Sequence, residues 1–434
     1  MSPPANIVIV GAGIIGCTTA YYLAHHPLFS SAVKITVLEA SRVGPAQGAS
    51  GKSGGLIAKW AYPKELAKLS YAEHLRLAKE LDGAKNWGFR QIEVGEWEGR
   101  GRRPGDLRLD ESDLRLDESE SSDDEECPRR SKASGFPADL TWINEALTDS
   151  YTPMAPSGDT AQVHPYLFTT HMLKLAAEKG VEFVKGRVTV LDNDSGHVTG
   201  VRYIPVDGTE EVHIPADCII LAAGPWSPSL VPALPITSMR AHSIVIKSPS
   251  SLHPNAVTPY ALFMSLSLPK TPRHGAQMVT PEIYPRPNQT IYVYGPGDTR
   301  TPLPPIVDDV EVDKASCEQL WEWMSESGVF ERWALGEVVR EQACYLPSVS
   351  TGGGPIVGEV PGIKGLVVAT GHTSWVRLFN SPVALLFTRF PHLDIAIHQG
   401  ISNAPGTAKA VSELVLEGKT SCVKLDRPHP AEFV

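Results

Sequence analysis

The stretch IVIVGAGIIG at residues 7–16 restricts the fold of this chain more than any other. An apolar run short enough for one strand stops at a glycine, and CTTAYYLAHH then carries a helical pattern. KITVLEA follows as a second apolar run and ends in Glu39. Strand, glycine turn, helix and strand in that order form a βαβ unit, in which the crossover helix covers two parallel strands. Gly11, Ala12, Gly13, Ile14, Ile15 and Gly16 fit the pattern G-x-G-x-x-G. Gly11 permits the tight turn, Gly13 lets the backbone approach a pyrophosphate, and Gly16 lets helix and strand pack closely. The helix N-terminus then offers unpaired N–H groups and a partial positive charge to the phosphates. A bare G-x-G-x-x-G is also met as a purely structural turn. Here it lies between strand and helix, and Glu39 stands 23 residues after Gly16. A carboxylate there accepts hydrogen bonds from ribose hydroxyls and repels a 2′-phosphate, so a dinucleotide site is expected.

The next residues choose between nicotinamide and flavin. After Ala40 comes SRVGPAQGASGKSGGLI, with Arg42, Ala49, Ser50, Gly51, Ser53, Gly54, Gly55 and Leu56. A flavin nucleotide has to thread past backbone that carries no bulky side chains, and this run of small residues supplies it. Much later CIILAAGPWS gives a buried strand running into Ala222, Ala223, Gly224 and Trp226. No second G-x-G-x-x-G occurs, so a separate NAD(P)H domain is not expected. The cofactor reading is FAD.

The remaining chain reads as helix and strand around residues 163–190, then a hairpin and the strand before Ala222. Residues 235–344 mix β-like runs such as HSIVIK and QTIYVYG with many prolines and one helical stretch, CEQLWEWMSESGVF. GLVVATGH returns as a buried strand, and GTAKAVSELVLEGK ends the pattern as a helix. The expected fold class is α/β (α+β overall). A Rossmann-type FAD-binding domain is assembled from 1–97, 150–234 and 345–425, with an antiparallel-sheet substrate domain over 235–344.

The net charge of −10 is local, since the ten acids and one base between Asp110 and Glu126 account for −9 of it. DLRLDES occurs twice in tandem at 106–112 and 113–119 within an acidic insert, 98–135, of disorder-prone composition. It reads as an expanded spacer, or as a protein-partner contact over 106–126 with Ser119, Ser121 and Ser122 beside acids. With no basic patch interleaved with aromatics, nucleic acid is not an expected partner. Cys17, Cys127, Cys218, Cys317, Cys344 and Cys422 are scattered without a C-x-x-C pair, so neither a metal site nor a disulfide framework is expected. No apolar run reaches the length of a membrane span. The strand pattern begins at Asn6 and leaves no room for a signal peptide, so a cytoplasmic location is expected.

GAGIIG, VLEA, GASGKSGGLI, ILAAGPWS and GGGPIVGEVPGIKGLVVATGH together resemble the D-amino-acid oxidase/glycine oxidase/sarcosine oxidase family of FAD-dependent oxidoreductases. Within it the chain looks most like a fungal subgroup linked to late-endosome-to-Golgi traffic. The resemblance implies bound FAD, oxidation of a C–N bond in an amine or amino acid by hydride transfer, and molecular oxygen or another electron acceptor. An alternative it carries is a flavin-binding protein acting mainly in retrograde traffic at the late endosome.

By the same resemblance, Gly11 to Gly16 and Glu39 match the ADP-binding turn, and Ser50 to Leu56 the flavin-facing loop. Val188 matches the residue whose backbone meets adenine, and Ala222 to Gly224 the segment beside the adenosine. Gly371 and His372 match the G-H at the flavin's pyrimidine end. Ala40, Arg42, Ala49, Trp226, Gly400 and Ile401 are further expected cofactor contacts. Cys344, before Tyr345, occupies the place of a cysteine that some branches bond to the flavin; the alternative is a plain buried thiol. Catalytic candidates are His372, Tyr345 and Arg340, with Arg240 as a second candidate for a substrate carboxylate.

In the family the G-H turn runs directly into a glycine and the final helix. Deleting Val376 to Gln399 leaves GHTSWGISNAPGTAKAVSEL, with Pro405 near the helix start. The removed 24 residues correspond to an in-frame segment beginning with a GT codon and ending with one that can close in AG. Its apolar residues follow neither a helix nor a strand period. Residues 376–399 are therefore read as a translated intron, the other reading being a genuine inserted loop.

Overall fold

A computed structural model describes residues 3–102, 135–249, 257–271, 274–376, 395–425 and 429–433. The acidic repeat at 106–126 and residues 377–394 lie outside the described residues.

The strand Asn6–Val10 sits inside an eight-stranded sheet, between Lys34–Glu39 and Cys218–Leu221, and both pairings are parallel. Glu182–Asp194 and Leu366–Thr370 extend the parallel core, and antiparallel strands finish both edges. Burial on both faces explains why these strands read as unbroken apolar runs. Every residue of the helix Ile14–Ala24 is buried, because Pro165–Ala177 and Gln399–Glu417 pack against the sides the sheet leaves open. A helix apolar on all sides belongs in such a place.

A second sheet of ten strands stands beside the first, with the long strands Glu337–Val349 and Ile236–Lys247 paired antiparallel as the third and fourth along its strand order. Alternation divides its faces. Tyr260, Leu262, Met264 and Leu266 join a core under the helix Lys314–Glu326, while Ala261 and Phe263 join a cluster with Leu56, Ile92 and Tyr284 on the other face. Glu93–Arg100 and Thr148–Pro153 belong to this second sheet, and Glu337–Val349 runs through position 345. Sheet membership thus crosses the chain positions 97, 150 and 345 that bounded the expected domains.

The last helix starts at Gln399, the final residue of the stretch read as an intron, and Pro405 lies inside it. Proline has no N–H, so the carbonyl of Ile401 loses its helical partner. His74 replaces it, with Nε2 2.9 Å from that oxygen. Ser70 repairs the neighbouring turn, donating to Asn403 O at 3.0 Å and accepting from Gly406 N at 3.0 Å. Burial pushes His74 down to about 4, so it is neutral and donates through Nε2–H. Among the described residues no helix is long and apolar enough to cross a membrane.

Candidate functional site

A cleft of about 810 Å³ runs along the carboxyl ends of the parallel strands, where open α/β sheets bind ligands. Gly11 opens it with φ +106°, and a Cβ there would lie 2.6 Å from Ala222 O. At Gly16 a Cβ would lie 1.9 Å from Gly11 O, so the turn and the helix touch through backbone. Ile14 N donates to Ser50 Oγ at 2.9 Å, which fastens the turn to the small-residue loop. The helix has no acid in its first turn, leaving its positive end uncompensated at the cleft. Glu39 is fixed at the strand end by the amides of Ala12 (2.8 Å) and Ser41 (2.9 Å). Burial raises its pKa and those amides oppose the rise. Two fixed amides leave lone pairs on the carboxylate free to face a ribose, so glycine turn, helix end and acid fit a dinucleotide.

At the far end lie Gly371, with φ +74°, His372, Gly400 and Ile401. His372 is buried with Nε2 3.1 Å from Thr407 Oγ1, and burial pushes its pKa down to about 3, so the ring is neutral. Between the two ends the cleft meets Ile15, Ala40, Ala49, Ser50, Ser53, Val188, Ala222, Ala223, Gly224, Trp226 and the ring of Tyr345.

Other expected residues stand behind the cleft wall. Ala12 and Gly16 support the turn, and Gly51 packs against Ala46 O. Arg42 points away, 3.3 Å from Asp308 and 3.1 Å from Asp309. These aspartates follow Leu303–Val307, a proline-rich segment that covers part of the cleft and whose Pro304 O accepts from Trp226 Nε1 at 2.7 Å. Sequence inspection gave no hint of this segment, since its place depends on the second sheet. The Tyr345 hydroxyl lies within reach of Thr301 O and Pro302 O, which orient it toward that segment. Cys344 is buried outside the cleft among Leu56, Tyr292 and Tyr294, and burial pushes its thiol up to about 11. Arg240 is held by Asp298 at 3.1 Å, and Arg340 is exposed.

Gly54, Gly55 and Leu56 line a second, small cavity with Glu282, Tyr284, Tyr292, Tyr294 and Ser402. It holds about 10 Å³, room for about one water. Tyr284 packs on Gly54 so closely that a Cβ there would lie 2.5 Å from its ring. On the strand Glu282–Arg286, Glu282, Tyr284 and Arg286 share one face by alternation, and the register sets Tyr294 and Tyr292 beside the first two. Arg340 lies on the same face, in the row of Val245, Tyr292 and Tyr284.

Arg286 is 8% exposed, donates through Nη2 to Ser53 O at 2.8 Å and lies 5.1 Å from the Tyr292 ring centre. Its Nε, together with His164 Nδ1 and Ser53 Oγ, has no hydrogen-bond partner among the described residues. Burial lowers Arg286 to about 10, with Arg340 adding repulsion. A buried guanidinium with no carboxylate paired to it among the described residues suits an incoming anion. Sequence reading missed it, although the alternation of Glu, Tyr and Arg in EIYPR was the signal available.

The family described as FAD dependent oxidoreductase matches residues 6–378. TDA3 of Saccharomyces cerevisiae, named as an oxidoreductase without a stated substrate, is 30% identical across 98% of this chain and 94% of its own length. An oxidoreductase of Schizosaccharomyces pombe, likewise named without a substrate, is 32% identical across 99% of both chains. Among solved structures, glycine oxidase from Bacillus cereus aligns with a TM-score of 0.62 at 17% identity, over 96% of this chain and 98% of that one. Iminodiacetate oxidase from Chelativorans aligns with a TM-score of 0.63 at 17% identity, over 98% of each. At that identity the structural likeness speaks for the fold, while the family match covers most of the sequence. This chain belongs to the FAD-dependent oxidoreductase family.

Proposed function

We propose that this chain holds FAD and oxidises a C–N bond of an amine or amino acid that carries a carboxylate. The observation that carries the reading is the adjacency of two sites. The cleft from Gly11 to His372 has the extent and the backbone lining for a flavin dinucleotide, and its Ser53–Leu56 loop also borders the buried Arg286. In this reading the turn Gly11 to Gly16 and the helix behind it hold the pyrophosphate, and Glu39 holds the ribose. Val188, Ala222 and Ala223 border the adenosine. Ser50, Ser53, Gly371, His372, Gly400 and Ile401 surround the ring system, with Gly51 and Gly54 to Leu56 behind them. Bound FAD would supply the hydride acceptor, with molecular oxygen or another acceptor taking the electrons on.

The chain's own contribution is positioning and exclusion of water. Arg286 receives the substrate carboxylate, and Tyr284 has to leave Gly54 to admit it. Tyr292 and Tyr294 form an apolar floor that strengthens the charge contact. His372, neutral and held by Thr407, acts as a dipole at the far end and not as a charged acid.

The test is anaerobic mixing of the purified, FAD-loaded chain with a panel of amines and amino acids. Bleaching of the yellow colour by a carboxylated amine, with recovery in air, is the expected result. A chain that rejects FAD, or a yellow one that no member of the panel reduces, overturns the reading.

A further inference from the structure

That reading leaves a buried carboxyl without a task. Glu282 is 7% exposed and lines the small cavity with Gly54, Gly55 and Ser402. No cation stands beside it among the described residues, and its hydrogen bond comes from the hydroxyl of Tyr284, two residues along the same strand. The titratable groups facing it are Tyr284 and, from the neighbouring strand, Tyr294 and Tyr292. Phe263 lies opposite on the other flanking strand, and Gly54, Gly55 and Leu56 bring no charge. A carboxyl taken out of water without a cation is costly unless it stays protonated or a partner arrives. At a face where an amine has to dock, the matching partner is an ammonium group.

We propose that Glu282, oriented by Tyr284, is the contact for the substrate's amino group and takes up its proton on binding. This rests on the oxidoreductase reading above, because the amine it meets is that substrate's. R–NH3+ and the Glu282 carboxylate give R–NH2 and the Glu282 carboxylic acid: one N–H bond breaks, one O–H bond forms, and no electrons are exchanged. The neutral amine then has the lone pair that a C–N double bond requires once the adjacent C–H is oxidised.

Proton affinities suit the exchange. Burial lifts Glu282 to about 8, toward the range in which amines ionise, so passing the proton to it costs less than passing it to an exposed carboxylate. Arg286 lies four residues further, about 13 Å along the same strand, so a substrate that touches both residues carries its amine and its carboxylate several bonds apart. Tyr284 and Tyr292 stand between the two, so the floor has a cation-seeking end and an anion-seeking end.

The experiment compares the full chain with Glu282→Gln, each with and without FAD, using ammonium and acetate as probes that carry no amine-bearing carbon to oxidise. In the wild type at pH 9, where the Glu282 carboxyl is ionised, ammonium should raise the infrared carbonyl band of a protonated carboxyl, and that rise should be missing in Glu282→Gln. Affinity for ammonium should fall about tenfold or more in the variant, with acetate changed less than twofold. Flavin reduction by a primary amine should drop about tenfold at pH 7 and recover above the pKa of the free amine. A carbonyl band indifferent to ammonium, or equal ammonium affinity in both proteins, overturns the proposal. Reading the band without FAD separates it from the oxidoreductase reading, which fails on FAD binding or reduction. If Glu282→Gln does not fold, Tyr284→Phe keeps the acid and removes its hydroxyl. An unshifted band and unchanged ammonium affinity in that variant overturn the proposal equally.

Discussion

The cleft from Gly11 to His372 encloses about 810 Å³ and is bordered largely by glycines, small residues and strand ends. The cavity beneath Tyr284 holds about 10 Å³ and is closed by long side chains from two paired strands. The first is shaped by what the backbone is free to do, and the second by what particular side chains reach. A wall of backbone tolerates no added atom at its contact points. A wall of side chains can be rebuilt residue by residue with changes in preference rather than in fold.

Gly16→Ala attacks the backbone wall where it is tightest. The new Cβ would lie 1.9 Å from Gly11 O and 3.2 Å from Ile9 Cγ2, so the helix has to leave the turn. A loss of about 3 kcal/mol in unfolding free energy, with most bound FAD lost, is expected from urea titration and flavin absorbance. Full retention of both would mean that the turn does not govern the cleft.

Arg286→Met tests the other wall, and its expected effect falls on selectivity. Losing a charge-assisted contact to the substrate carboxylate should raise KM about 30-fold, roughly 2 kcal/mol, for carboxylated amines and leave simple amines and FAD content unchanged. Because the guanidinium is buried with Nε unpartnered, stability should hold or rise, as it often does when an unpaired buried charge is replaced by an apolar residue. An equal loss for both substrate classes would assign Arg286 to scaffold rather than to recognition.

The two walls also differ in how they are written along the chain. Gly11, Gly13, Gly16 and Glu39 fall within one βαβ unit, where local spacing carries the geometry, and the turn at Gly371 follows its own strand. Arg286 and Glu282 acquire meaning only when strand pairing sets them beside Tyr292 and Tyr294 and opposite Gly54. The same holds for Leu303–Val307 over the cleft. It holds also for His74, whose duty to Ile401 O exists because Pro405 lies inside a helix from the far end of the chain. No local pattern announces a partner more than 300 residues away.

Acid should separate the regions again, with a smaller effect. His74 and His372 are buried neutral, pushed down to about 4 and about 3, against 6.5 when unfolded. As pH falls through 6.5 the unfolded chain takes up protons that the folded one refuses, so stability drops down to those lower values. The slope approaches about 1.4 kcal/mol per pH unit for each group. Glu282 acts oppositely: its folded value near 8, against 4.5 unfolded, gives stability that is complete below 4.5 and lost as pH rises toward 8. Between 6.5 and 4.5 the two slopes oppose, and the pair of histidines prevails. Urea titrations at pH 8, 6.5 and 5 should show wild type losing stability on the acid side, and Glu282→Gln losing it more steeply. Parallel curves for the two proteins would mean that Glu282 does not keep its proton in the folded chain.

Arg42→Ala should produce the least. The sequence groups Arg42 with the cofactor loop, yet its side chain is 59% exposed and pairs with Asp308 and Asp309 on the segment that crosses the cleft. Exposed ion pairs contribute about 0–1 kcal/mol and weaken with salt. The backbone hold on Asp308, from Arg42 N at 2.7 Å and Ser41 Oγ at 2.6 Å, survives the substitution. FAD affinity is therefore expected to change less than about threefold, which corresponds to roughly 0.6 kcal/mol, with the difference fading at high ionic strength. A tenfold loss that persists in salt would show the guanidinium reaching the cofactor itself. It would then add a charged side chain to a cleft otherwise framed by the glycine turn and strand ends.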